Sequence, residues 1–203
     1  VCFPALHAKL FGVMSMYRSF FQNIVAATAL FSLFSVPGGA SDGAEDARLN
    51  LLYGQLKGAE AQDARRIGEE IRHELSKTGS PSMDLLVKRG RDAMEAGDTR
   101  AAIGHFTALT DHAPEFAEGW HMRSVVFARA GMPGLALADL ERSLGIDPRN
   151  FAAIYSLGAV LEQVEQPELA REAYARVAAI HPHFDDISET LSRLDEDLRG
   201  SDL

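Results

Sequence analysis

The chain has 203 residues, 46% of them apolar and 24% charged, with a formal net charge of −9. That length and balance suit one folded domain or two small ones and exclude collagen-like and disordered compositions. A nucleic-acid surface is also excluded, because phosphate contacts need clustered Lys and Arg and no basic run of useful length occurs.

The first forty residues hold Lys9 and Arg18 and no Asp or Glu, so the remainder carries −11, the whole-chain −9 less this +2. From Met14 a basic start at Arg18, an apolar run over 24–34 and the small residues Gly38 and Ala40 follow one another. That order is what an export signal presents to the secretion machinery and its peptidase. The expectation is a signal peptide over 1–40, with 14–40 the leader proper and a cut after Ala40, which places the mature chain in the periplasm or outside the cell. Left uncut, the leader tethers the chain to the membrane. Gln22 and Asn23 interrupt the apolar run well short of the ~20 residues a membrane span needs, so the mature chain is expected to have none. The single cysteine, Cys2, precedes the cut, which leaves the mature chain without disulfide or thiol chemistry.

Residues 41–48 read as a solvated linker. Beyond them, 49–56 and 61–75 carry helical patterns, the second with Ala64, Ile67, Ile71 and Leu75 on one face. The stretch 49–80 is expected to be a degenerate first unit or an N-terminal cap. Ser80 is expected to cap a helix opening at Pro81.

A period then begins. Pro114, Pro148 and Pro182 are spaced by 34 residues each, and a fixed period of this length is a mark of repeat architecture. Setting position 32 of a 34-residue unit on each proline gives units at 83–116, 117–150 and 151–184. Positions 4, 7, 8 and 11 form one helical stripe: Leu86, Arg89, Gly90, Ala93; Trp120, Arg123, Ser124, Phe127; Ile154, Leu157, Gly158, Leu161. Positions 20, 24 and 27 form a second: Ala102, Phe106, Leu109; Ala136, Leu140, Ser143; Ala170, Tyr174, Val177. Spacings of three and four return a side chain to the same face, so each unit is two helices. Small residues at 8 and 20 let the two helices approach closely, and the large residue at 24 fills the space beside them. Gly97 and Gly131 at position 15 suit a left-handed helix end, Asp98 suits an N-cap, and Pro133 and Pro167 suit a first turn. The prolines at 32 stop each second helix.

These residues together resemble the tetratricopeptide repeat (TPR) family over about half the chain. Arg89 and Arg123 depart from it at a position that is usually apolar, their stems lying on the packed face with the heads in water, and Glu165 replaces the inter-helix glycine of the third unit. The resemblance implies an all-α fold, a right-handed α-solenoid of helix-turn-helix units. Residues 185–199 supply its C-terminal capping helix, with Ile187, Leu191, Leu194 and Leu198 on one face.

No Gly-rich phosphate loop, serine elbow or paired-histidine helix is present, so the chain is read as a non-enzyme with no cofactor and no metal. The strongest competing site is His181, His183, Asp185 and Asp186, but a proline between two histidines does not converge ligands on zinc; His181 reads instead as a last-turn residue favoured by the helix dipole. His105 and His112 read as helix surface, and Glu69, Glu70 and Glu74 as a solvated helix face. What the resemblance implies is a groove lined by positions 2, 5, 9, 12 and 13 of the first helices, binding a protein or peptide partner. The candidates are Val87, Arg91, Met94 and Glu95 in the first unit; Glu118, His121, Val125 and Arg129 in the second; and Tyr155, Ala159 and Glu162 in the third. The Lys/Asn/Arg clamp of chaperone-binding members is missing: Val87, Met122, Ala152 and Ser156 stand at its positions. An apolar groove can also bury itself in a second copy, so a homo-oligomer is a further expectation.

Overall fold

The computed structural model describes the backbone of residues 40–201 and the side chains of 47–200, so the expected leader lies outside the described residues. Among them are nine helices and no strand. In order these are α1 (Ala40–Leu56), α2 (Ala61–Leu75), α3 (Pro81–Glu95), α4 (Thr99–His112), α5 (Ala117–Arg129), α6 (Pro133–Ile146), α7 (Phe151–Gln163), α8 (Pro167–Ile180) and α9 (Ile187–Ser201). The pairs α3/α4, α5/α6 and α7/α8 pack internally, and α4 on α5, α6 on α7 and α8 on α9 continue the stack. The architecture is an all-α helical repeat.

The helix boundaries follow from local chemistry. α4, α6 and α8 each end two residues before a proline at position 32. Gly97 and Gly131 turn the chain between paired helices at φ of 72° and 71°, a region that costs glycine nothing. Glu165 holds the same place in the third unit at φ 59°, so that turn keeps its conformation and stores strain. The Asp98 carboxylate accepts from the Ala101 N–H at 2.9 Å, and the Asn150 amide oxygen accepts from the Ala153 N–H at 3.1 Å. Ser80 stands at the α3 N-cap without a side-chain capping bond; the Thr78 hydroxyl instead donates to Asp84 at 2.6 Å.

Close approach within a pair depends on the missing side chain at position 8. A Cβ on Gly90 would lie 2.5 Å from the Phe106 ring, and one on Gly158 would lie 2.6 Å from the Tyr174 ring. The rings at position 24 therefore occupy the volume a side chain would take, and Phe106, Tyr174, Ala102 and Ala170 are buried with them. In the middle unit position 24 is Leu140, and the slimmer partner leaves room for Ser124, whose hydroxyl donates to the His121 carbonyl at 2.6 Å.

Arg123 corrects the expectation that its head lies in water. Its guanidinium donates to both Asp139 oxygens, at 2.7 and 2.8 Å, and to the hydroxyls of Thr107 and Thr110 at 3.2 and 3.0 Å. Three helices, α4, α5 and α6, thus meet on one side chain, which also lies 4.9 Å from the Trp120 ring centroid. The bidentate geometry explains why an arginine replaces an apolar residue here.

Both flanks make specific contacts. Residues 41–48, expected to be a linker, belong to α1, which begins at Ala40. α1 and α2 pack on each other and are clamped by Glu74, a buried carboxylate paired with Arg48 at 3.3 Å and Lys77 at 2.6 Å. Among the described residues no extensive backbone packing joins α1 or α2 to α3 or to the third unit. Side-chain contacts tie the pair to the start of the third unit: Tyr53 meets Phe151 edge-on at 6.5 Å, and the guanidinium of Arg149, just before it, covers the Tyr53 ring at 4.7 Å while donating to Asn50 at 2.6 Å. At the far end α9 buries Ile187 and Leu194, and Arg193 ties it to Glu162 at 2.6 Å.

Two stability measurements test this packing. Gly158→Ala is expected to cost about 1–3 kcal/mol by overpacking the Tyr174 ring, whereas Gly104→Ala, with open space around it in α4, is expected to stabilise by roughly 0.5–1 kcal/mol; urea melts of the two variants read the contrast. Arg123→Ala, which strands the buried Asp139 carboxylate, should cost about 3–5 kcal/mol, and Arg123→Met combined with Asp139→Leu should recover most of it in the same assay.

Candidate functional site

The first helices α3, α5 and α7 carry the expected groove positions, and a polar ladder links them. Arg91 on α3 approaches Glu118 on α5 at 3.9 Å. Glu118 is shared by His121 Nδ1 at 3.0 Å and by the Asn150 amide, which donates to it at 3.4 Å. His121 Nε2 reaches the Ser156 hydroxyl on α7 at 3.0 Å. Buried His121 and nearly buried Glu118 therefore join units to one another. Both were expected to face a partner; the structure places them at the seam between units.

Other expected positions divide in the same way. Val87 is buried in the core of the first unit with Phe106, Leu109 and Val126, and Met94 packs against that core. Glu162 accepts from the Tyr174 hydroxyl at 2.9 Å and pairs with Arg193, so it anchors the capping helix. Burial and the neighbouring Glu162 carboxylate together push the Tyr174 phenol pKa upward. Glu95, Arg129 and Ala159 are exposed, and Arg91, Val125 and Tyr155 are half-buried. These six form the part of the stripe that remains open.

The third unit holds a cluster that pattern reasoning missed. Phe151, His181 and Phe184 stack edge to face, with centroids 5.2 Å apart for Phe151–His181 and for Phe151–Phe184 and 5.5 Å for His181–Phe184. Tyr155 joins at 5.2 Å from Phe184. The available signal was aromatic residues at positions 1 and 34 of one unit, on either side of its helical stripes. Beside the contact of this cluster with α2 lies a cavity of about 690 Å³, lined by Arg65, Glu69 and Arg72 of α2 and by Tyr155, His183, Asp185 and Asp186. His181 was expected as a last-turn residue beside a weak metal set. It stands at the C-cap of α8 and is buried, its Nδ1 has no hydrogen-bond partner, and among the described residues no three His, Cys, Asp or Glu side chains gather to hold a metal ion.

Of the expected solvated face of α2, Glu69 is exposed and pairs with Arg72, Glu70 is partly exposed and pairs with Arg66 at 2.6 Å, and Glu74 alone departs from it. Glu74 is buried, and the hydrogen bond from Lys77, aided by Arg48, holds its carboxyl below the usual range.

No family model matches the chain. A curated TPR repeat-containing protein of Rhizobium etli is 30% identical over 155 residues, which is 76% of this chain and 76% of that protein. The chain belongs to the tetratricopeptide repeat family. A BBSome complex member of Caenorhabditis elegans, bbs-4, is 28% identical over 95 residues, 47% of this chain and 20% of that protein. Among solved structures, the first TPR of Spaghetti (RPAP3), bound to an HSP90 peptide, matches 58% of this chain and 93% of its own at 20% identity and TM-score 0.56. The Sgt2 TPR domain from Aspergillus fumigatus matches 61% and 83% at 22% identity and TM-score 0.57, and MamA matches 77% and 80% at 18% and 0.54. At these identities the structural likenesses speak for the fold alone. Among the described residues no helix is long and apolar enough to cross a membrane.

Burial lowers the His181 pKa, with His183 and Arg72 adding to the shift and Asp185 opposing it. In the folded TPR array the imidazole stays neutral where the unfolded chain, near 6.5, takes up a proton. Stability from this group is therefore complete above about pH 6.5 and lost as pH falls below it. The denaturation midpoint is expected to fall between pH 7.5 and pH 5.5 in the wild type and to fall less in His181→Phe.

Proposed function

We propose that the protein is a non-catalytic adaptor or assembly factor that holds a peptide or protein segment along its first helices. The observation that carries this reading is the open stripe of Arg91, Glu95, Val125, Arg129, Tyr155 and Ala159 on α3, α5 and α7. These side chains offer apolar contact interrupted by two guanidinium groups, which suits a segment bearing carboxylates beside apolar residues. Domains of the same fold support the reading, since the RPAP3 domain was solved bound to an HSP90 peptide and the TPR2B domain of yeast Sti1 in a complex with pHsp70. Neither ligand transfers to this chain, where the clamp positions carry Val87, Met122, Ala152 and Ser156.

We place this activity in the periplasm, on the strength of the basic, apolar and small-residue order over 14–40. Fractionation of cells producing the tagged chain is expected to recover it there.

Photo-crosslinking in living cells from positions 125, 129 and 159 is expected to capture one defined partner, and crosslinks from the opposite face at position 138 to capture none. Arg129→Glu should weaken that capture at least tenfold. Equal labelling from both faces, or capture indifferent to Arg129→Glu, would refute a binding role for this stripe.

A further inference from the structure

The aromatic surface of the third unit already has an occupant. Gly68 on α2 sits on His181 so closely that a Cβ there would lie 2.8 Å from Nε2 and 3.8 Å from the Phe151 ring. α1 adds the Tyr53 edge against Phe151 and the Asn50 oxygen that receives Arg149. These contacts join parts of the chain about a hundred residues apart, although the pair is connected to α3 only by residues 76–80, with Gly79 at φ 69°.

We infer that α1 and α2 are a displaceable internal occupant of a helix-binding surface formed by Phe151, His181 and Phe184 with Arg149, and that the partner this surface fits is an amphipathic helix. Such a helix carries a small residue to lie over His181 and an aromatic residue to lie beneath Arg149, as Gly68 and Tyr53 do. This rests on the reading of the first helices as a partner-binding face, and adds that an aromatic surface adjoining its third-unit end through Tyr155 and Phe184 is covered until the partner arrives.

Two observations favour displacement over permanent packing. The seal is incomplete, because the cavity of about 690 Å³ lies between α2 and the third unit. Two polar atoms, the Tyr53 hydroxyl and His181 Nδ1, are buried there without hydrogen-bond partners, so the closed arrangement forgoes bonds that water or a better-matched helix would supply. A partner that binds the open form alone draws the equilibrium toward it, and its apparent affinity is reduced by the fraction of chains still closed.

The test uses the full chain and, as probe, a fluorescent peptide spanning residues 47–75. Gly68→Leu cannot close over His181, so the variant is expected to bind the peptide at least tenfold more tightly than the wild type. Hydrogen exchange should show α1 and α2 losing protection while residues 83–184 keep theirs. Should Gly68→Leu lose its helical circular dichroism, Tyr53→Ala with Asn50→Ala opens the pair by a milder route and carries the same expectation. Unchanged peptide affinity and unchanged exchange in an opened variant overturn the inference, as does loss of protection spreading through 83–184, which would make the pair integral to the stack. A stable dimer of the opened variant in light scattering overturns it in favour of exchange between copies. Crosslinks from 125 and 129 that persist while the peptide result is negative refute the internal occupant alone; loss of those crosslinks refutes the binding face itself.

Discussion

Everything in the repeat region depends on how near two helices of a pair can come, and that distance is set by an aromatic ring lying where a side chain would otherwise be. Gly90 with Phe106 and Gly158 with Tyr174 are the two instances, each ring seated 2.5–2.6 Å from the place a Cβ would take. The contact joins a large buried apolar surface to a close backbone approach, so one glycine decides the spacing of a whole pair. The middle unit solves the same problem with Ser124 and Leu140, where the aliphatic side chain is small enough to leave a hydroxyl its space. Once the pairs are close, their first helices align and the open stripe comes into being.

That part of the molecule was legible because it is periodic. Proline, glycine and small residues recur at fixed offsets, and each acts within its own unit through backbone geometry, which a single sequence displays directly. Arg123 was not legible in the same way. Its position marked it as a departure, but its partner Asp139 lies sixteen residues on in a different helix, and nothing in a stripe pattern pairs two such charges. His121 and Glu118 illustrate the opposite difficulty: the repeat assigns them a helix face, yet whether a side chain on that face meets a ligand or the next unit depends on Ser156 and Asn150, which arrive from elsewhere in the chain.

The N-terminal pair marks the limit of pattern reading. Ala64, Ile67 and Ile71 announced an amphipathic helix, and all three are buried. Amphipathicity states that a face must be covered without saying by what. Proximity in sequence argued for stacking ahead of the first unit; the structure places the pair on Phe151 and His181 instead. The hint was Gly68, a residue of poor helix propensity inside a helical pattern, which commonly marks a close approach by another element.

Apolar stripes at identical offsets would let any unit stack on any other, since burial is non-directional and three similar faces compete for the same neighbours. The polar contacts between units differ from one junction to the next. Arg123 reaches back to Thr107 and Thr110 of the first unit, and His121 reaches forward to Ser156 of the third. These two sets are not interchangeable: seating the third unit on the first would part Arg123 from Thr107 and Thr110 and His121 from Ser156, a loss of hydrogen bonds that misaligned apolar contact does not incur. The hydrophobic repeat thus supplies the strength of the stack, while a few buried, direction-sensitive bonds supply its order, and it is that order which fixes which side chains share the binding stripe.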